Sequence, residues 1–332
     1  MKFFAIVNQD MEELAQQELK ELIKVEAKVV DSVLEFETEK ISFVAQHMQS
    51  ARRLLVAVDR VKDINKLNLA KISTDFASYK IEVEHVKGQE NRTSIQKGVA
   101  EKLGSLMKKI GKELKIELKE PACILLVYFN GSEYFVGVDV AGEIDARDFR
   151  VFPHSGSFKG DLAYFFVRKS GFKKDEKLLM GFVKDGSVAI EAALFADGKP
   201  VRSLSKDRVS KSENSKSVFA FDEGRQNIVA ARKNASIAGA VLEINKYELD
   251  DLDVKYEKEE FDRLIFHITS KDESKLNEIY YQATYLLKRE GTLLLIGREK
   301  WDPSISDRFS LIEQGTIQRG ESLHAYWLLK RV

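Results

Sequence analysis

A chain of 332 residues has room for two or three domains and can bury a sizeable core. Its 53 basic and 53 acidic residues cancel, so it is no polycation, and any contact with nucleic acid must rest on local patches. The single cysteine, Cys123, excludes an internal disulfide and a cysteine-cluster metal site, so no metal and a reducing, cytoplasmic setting are expected; no apolar run approaches the ~20 residues of a membrane span.

The first residues, MKFFAIVNQDMEEL, read as a strand and a helix start, not a secretion signal. Lys2 to Val7 is the strand. Glu12 to Ile23 places Leu14, Ala15, Leu19, Leu22 and Ile23 at a period near 3.6, which predicts an amphipathic helix. Ala27 to Glu37 alternates as a strand, Lys40 to His47 is helical, and Leu54 to Val61 is again a strand. This β-α-β-α-β order fits a ferredoxin-like module over residues 1–65. A second module is expected over residues 66–146. It opens at Thr74 to Ala77, followed by a strand at Tyr79 to His85 and a helix at Ser94 to Ile110. A short strand at Lys115 to Leu118 and an apolar strand at Ala122 to Asn130 come next. Asn130-Gly131 then turns into a strand at Glu133 to Val140. Residues 147–160 read as a connector.

From Asp161 to 332 helices and strands alternate. The succession is Leu162–Lys169, Lys177–Phe182, Val188–Phe195, Val218–Asp222, Gln226–Ala238, Val241–Asn245, Arg263–Ile268, Lys275–Lys288 and Gly291–Ile296. Such alternation predicts a mostly parallel, doubly wound sheet. Phe309–Gln314 and Glu321–Lys330 close it with an antiparallel hairpin, and Pro200–Ser217, rich in Ser, Lys and Arg, reads as a mobile surface loop. The fold class is therefore α/β and α+β, with a Rossmann-like domain at the C-terminal end.

Within that domain Lys177 to Ala193 reads KLLMGFVKDGSVAIEAA: a buried strand end, a turn holding Gly186 and Ser187, and a helix start. Free backbone N–H groups at such a turn point at a nucleotide-like ligand. Val218 to Asp222 ends a strand on a carboxylate, and Ala230 to Gly239 reads AARKNASIAG. Ala146 to His154 (ARDFRVFPH) is followed by Leu162-Ala163. These stretches resemble S-adenosylmethionine-dependent RNA methyltransferases that carry a THUMP domain, in particular the type that acts on guanine N2 of tRNA. In that family the loop reads LLDPFCGSGTIAIEAA, the connector R-x-Y-R…HP…LA and the later helix A-x-x-N-A-x-x-A-G. The N-terminal Phe4-Ala5-Ile6-Val7, Asp10 to Leu14 and Ala51-Arg52-Arg53-Leu54 stand where the family has its opening strand, its GLE turn and its R-x-x-R/L stretch. The resemblance spans essentially the whole chain and implies a THUMP module over residues 66–146.

It also implies an S-adenosylmethionine site at Gly186, Ser187 and Asp222, Asp222 accepting the ribose hydroxyls. Asp250, Asp251 or Asp253 would stand near adenine. Met180 replaces the family's Asp, Gly181 its Pro, Val183 its Cys, Lys184 its first Gly and Asp185 its Ser. The family's [DN]-P-P-[YF] motif after the fourth strand is absent: here the strand runs into His267-Ile268-Thr269-Ser270, and no two of the four prolines adjoin. His267 stands at the missing motif, either as a replacement acceptor or as a structural residue. Eight basic residues against four acidic ones lie in Arg92–Glu120, and the same excess lies in Arg147–Lys177. Read beside the resemblance, Arg52, Arg53, Arg92, Lys97, Lys102, Arg147 and Arg150 are candidate RNA contacts. The leading expectation is a tRNA-binding protein of this family with impaired or lost methyl transfer. The alternatives are an active base-amine methyltransferase and a non-catalytic subunit paired with another protein of a methyltransferase complex.

Overall fold

The computed structural model describes residues 1–73, 75–202, 217–269, 272–298, 301–320 and 322–332. Most of the loop expected at Pro200–Ser217 lies outside the described residues, as do Thr74 and Ser270. The chain divides into two compact units: Met1–Ala45 with Ala51–Ile144, and Gln46–Ser50 with Asp145–Val332.

The first unit is built on β1 (Lys2–Val7), α1 (Glu12–Ile23), β2 (Lys28–Val30), β3 (Val33–Glu37), α2 (Ile41–His47), β4 (Ala51–Val61), β5 (Ser78–Glu84), α3 (Gln89–Lys109), β6 (Lys115–Ile116), β7 (Cys123–Phe129) and β8 (Tyr134–Asp139). Its eight strands form one sheet in the order β2-β3-β1-β4-β8-β7-β5-β6. β1 is buried from Phe3 to Val7 because β3 and β4 flank it on both sides. The single strand expected over 27–37 is a tight hairpin, β2 and β3, because Asp31 adopts a positive φ of 46° and reverses the chain. The expected boundary between residues 65 and 66 falls inside this sheet: β4 pairs antiparallel with β8.

The second unit contains α4 (Gly160–Lys169), β9 (Leu178–Gly181), α5 (Ser187–Asp197), β10 (Val218–Asp222), α6 (Arg225–Ala238), β11 (Glu243–Lys246), α7 (Leu252–Lys255), β12 (Phe261–His267), α8 (Glu273–Leu286), β13 (Leu287–Arg298), β14 (Phe309–Arg319) and β15 (Ser322–Arg331). The sheet order is β11-β10-β9-β12-β13-β15-β14, parallel from β11 to β13 and closed by the antiparallel β14–β15 pair. Leu179, Phe221, Leu264, Phe266, Leu293 and Leu295, all essentially unexposed, form the centre of its core. The strand order reverses between β9 and β12, where Gly181 is in register with Phe266. A crevice at the carboxyl ends of such strands is where α/β sheets bind ligands, and this register brings His267 beside the loop that follows β9.

Candidate functional site

The loop from Phe182 to Gly186 is held by its backbone. Phe182, Lys184 and Gly186 all take positive φ (57°, 53° and 90°). Glycine is needed at 186, where a Cβ would lie 3.1 Å from both Ala231 Cβ and Ile190 Cδ1. Gly181 is equally constrained: a Cβ would meet the Phe266 ring at 2.5 Å, so the proline of the related loop has no room here.

Asp222 is placed at the tip of β10 as expected, but its oxygens are engaged within the protein. Oδ2 accepts from Lys184 N–H at 3.0 Å, and Oδ1 accepts from Gly224 N–H at 2.8 Å and from Asn227 Nδ2 at 2.9 Å. Ser187 donates its hydroxyl to Asp185 Oδ1 at 2.7 Å, and Arg150 meets Asp185 Oδ2 at 3.2 Å. Asn234 on α6 ties the loop to the connector. Its Nδ2 donates to Asp185 O at 2.9 Å and to Phe152 O at 3.1 Å. The Asn of the AARKNASIAG stretch therefore fixes this loop, a role its spacing alone did not reveal.

Lys184 turns its side chain into the crevice. Nζ donates to Gly156 O at 3.0 Å and lies 2.6 Å from His267 Nδ1. His267 in turn stacks on Phe158, centroids 4.4 Å apart at 22°. The space left among Ser157, Phe158, Met180, Phe182, Lys184 and His267 is about 10 Å³, roughly one water molecule. Burial pushes the Lys184 ammonium down to about 8, against the attraction of Asp222 and Asp185. Burial, helped by Lys184, His324, His154 and Arg298, holds His267 well below the usual imidazole range, so it is neutral. His324 and Arg298 are cross-strand partners on β15 and β13. No motif links these residues in sequence; only the register of the sheet brings them together.

These shifts give a pH signature. Between pH 8 and 10.5 the unfolded chain holds a proton on Lys184 that the folded chain has released, so stability rises with pH across that window. The gain is on the order of 3 kcal/mol. His267 acts at the other end: below its unfolded value near 6.5 the unfolded chain binds a proton that the folded chain refuses, so stability falls as pH falls. Denaturation of wild type and Lys184→Met across pH 7–10.5 should show the alkaline rise in the wild type alone.

The basic candidates divide by burial. Arg147 is withdrawn as an RNA contact: its side chain and that of Glu191 are both 0% exposed and paired, Nε to Oε1 at 2.7 Å. Arg53 is withdrawn for the same reason, because Asp139 (2.7 Å), Glu84 (2.9 Å) and Glu82 (3.0 Å) surround it. Arg150 is committed to Asp185, and Lys102 donates to the carbonyls of Asn65 (2.6 Å) and Leu67 (3.2 Å). Arg52 is half-buried beside Glu84 and His85. On α3, Lys97 is exposed and Arg92 half-buried. Cys123 is a core residue whose thiol burial pushes up to about 11, which suits no nucleophile.

The family profile of the UPF0020, RMKL-like methyltransferase domain matches residues 147–298. That segment is similar to this methyltransferase domain. The chain is 29% identical over 147 residues to a tRNA (guanine(6)-N2)-methyltransferase of Archaeoglobus fulgidus, covering 41% of this chain and 38% of that one. It is 28% identical over 242 residues to the Methanocaldococcus jannaschii protein of the same name, covering 71% and 62%. The chain thus spans less than two thirds of either relative. The solved structure of TrmN from Thermus thermophilus superposes with a TM-score of 0.77 at 17% identity, covering all of both chains. A possible methylase from Clostridium difficile 630 superposes at 0.76 and 14%, covering 100% and 98%. At these identities the superpositions establish the fold alone. Among the described residues no helix is long and apolar enough to cross a membrane.

Proposed function

We propose that the protein binds tRNA and that its methyltransferase domain no longer uses S-adenosylmethionine. The observation that carries this reading is Lys184, whose side chain fills the crevice between β9 and β12 and leaves about 10 Å³. A ligand of nucleoside size needs some hundreds of Å³. The remaining chemistry points the same way. Met180 offers no carboxylate, Asp222 is engaged by the loop itself, and an ammonium repels a sulfonium cation. The residues present therefore do not fit the cofactor, and no transfer step is assigned to them.

The RNA half of the reading rests on the curated relatives, both named as tRNA methyltransferases, and on the basic residues Arg92 and Lys97 of α3. The N-terminal unit, read as ferredoxin-like plus THUMP segments, would hold the RNA and the C-terminal unit would serve as its platform. Gel-shift titration with tRNA over a range of salt tests it. Arg92→Glu with Lys97→Glu should weaken binding and flatten the salt dependence by roughly 1–2 in slope. Absence of a shift at moderate salt, with the protein folded, would overturn it.

A second reading, an active guanine-N2-type methyltransferase, is favoured by one feature. His267 is neutral and sits at the end of β12, where the missing motif would receive the target amine. Methyl incorporation into tRNA that is lost in Asp222→Ala would establish that reading instead.

A further inference from the structure

The carboxyl end of the second unit's sheet gathers an unusual set of side chains. Lys184 follows β9, His267 ends β12, Arg298 ends β13 and His324 stands opposite it on β15. His154 comes from the connector, so three of the chain's five histidines meet one lysine and one arginine. Two acids lie beside them, and the oxygens of both are engaged by local donors. Asp222 takes the N–H groups of Lys184 and Gly224 and the amide of Asn227, and Asp185 takes Ser187 and Arg150. Among the described residues no three His, Cys, Asp or Glu are grouped to hold a metal ion, and two fixed cations would repel one.

What the cluster presents is donors. Lys184 has three N–H groups, of which Gly156 O and His267 take two. Gly156 N–H donates to His154 Nδ1 at 3.0 Å, which leaves the ring proton on Nε2. Arg298 is exposed, and His324 and His154 are half-buried. The cavity behind them accepts an object the size of one water.

We propose that this crevice binds a phosphate group, one oxygen entering the cavity against Lys184 and the others meeting Arg298, His324 and His154. The proposal rests on the reading above that the crevice has ceased to take a sulfonium cofactor; it adds that the charge preference of the site has reversed. Phosphate of this kind is offered either by a free nucleotide or by the backbone of an RNA. Binding is coupled to protons. An anion favours the charged forms of Lys184 and His324, which stand with Arg298, His154 and neutral His267 around the site, so protons are taken up on binding. Affinity then falls as pH rises through about 8, where Lys184 discharges.

The test is calorimetric titration of the full chain with adenosine 5′-monophosphate and with a short oligoribonucleotide lacking terminal phosphates, at pH 6.5, 7.5 and 8.5. At least one probe should bind, with heats that depend on the ionisation enthalpy of the buffer. Its affinity should fall by about tenfold between the outer pH values, and by a similar factor in Lys184→Met and in Arg298→Gln. Binding of the nucleotide assigns a free ligand; binding of the oligonucleotide alone assigns the RNA backbone. Failure of both probes to bind, or binding indifferent to both substitutions and to pH, overturns the proposal. A parallel titration with S-adenosylmethionine separates the two claims. If that cofactor binds, the reading beneath the proposal fails; if neither cofactor nor phosphate binds, only the phosphate site fails.

Discussion

Replacing Arg147 by methionine is expected to cost about 3–5 kcal/mol of stability, the penalty for leaving a buried carboxylate without its partner. The guanidinium meets Glu191 through both arms, 2.7 Å to Oε1 and 3.0 Å to Oε2, and donates to Gln49 O at 2.6 Å. Gln49 returns bonds to Glu191 Oε2 at 2.7 Å and to its backbone oxygen at 3.0 Å. The network explains why residues Gln46–Ser50 belong to the second unit although the chain around them belongs to the first. Both tryptophans, Trp301 and Trp327, are buried in the second unit in an edge-to-face pair 5.1 Å apart, so their fluorescence during urea denaturation reports on that unit. Arg147→Met should shift this transition strongly. Combining it with Glu191→Leu should recover part of the loss, because the pair is then removed whole. A double variant as unstable as the sum of the singles would contradict the account.

The second large effect concerns the loop after β9. Lys184→Gly removes a cation from the crevice, frees its space and relieves a non-glycine residue at φ 53°. Adding Met180→Asp supplies the missing carboxylate, a charge-assisted bond of about 1.5–3 kcal/mol. Together the two should raise the affinity for S-adenosylmethionine by roughly a hundredfold. Calorimetry on wild type, each single variant and the double variant measures it. Equal affinity in all four proteins would show that Lys184 and Met180 do not govern the site.

Much of the fold was legible in the sequence, and the misses have physical causes. The limits of β1, α1 and β10 follow directly from residue periodicity. The hairpin within 27–37 was missed because a positive φ at Asp31 leaves no mark in an alternating pattern. Runs of Lys and Arg reveal charge but not burial, so Arg53 and Arg147 looked like phosphate contacts while each serves buried carboxylates. At the site, the replacement of Gly by Lys184 was visible, and so was the oddity of His267. That the two touch, with Phe158 stacked behind, depends on the register of β9 with β12. His324 and Arg298 were invisible, because cross-strand pairing joins residues with no common motif.

Calorimetric titration of the wild-type protein with S-adenosylmethionine decides whether the crevice has lost its cofactor. With Lys184 in the crevice, no detectable heat is expected at hundreds of micromolar. Binding near or below ~10 μM, about −7 kcal/mol, would mean that Lys184 yields its place to the ligand, and would favour the reading as an active methyltransferase.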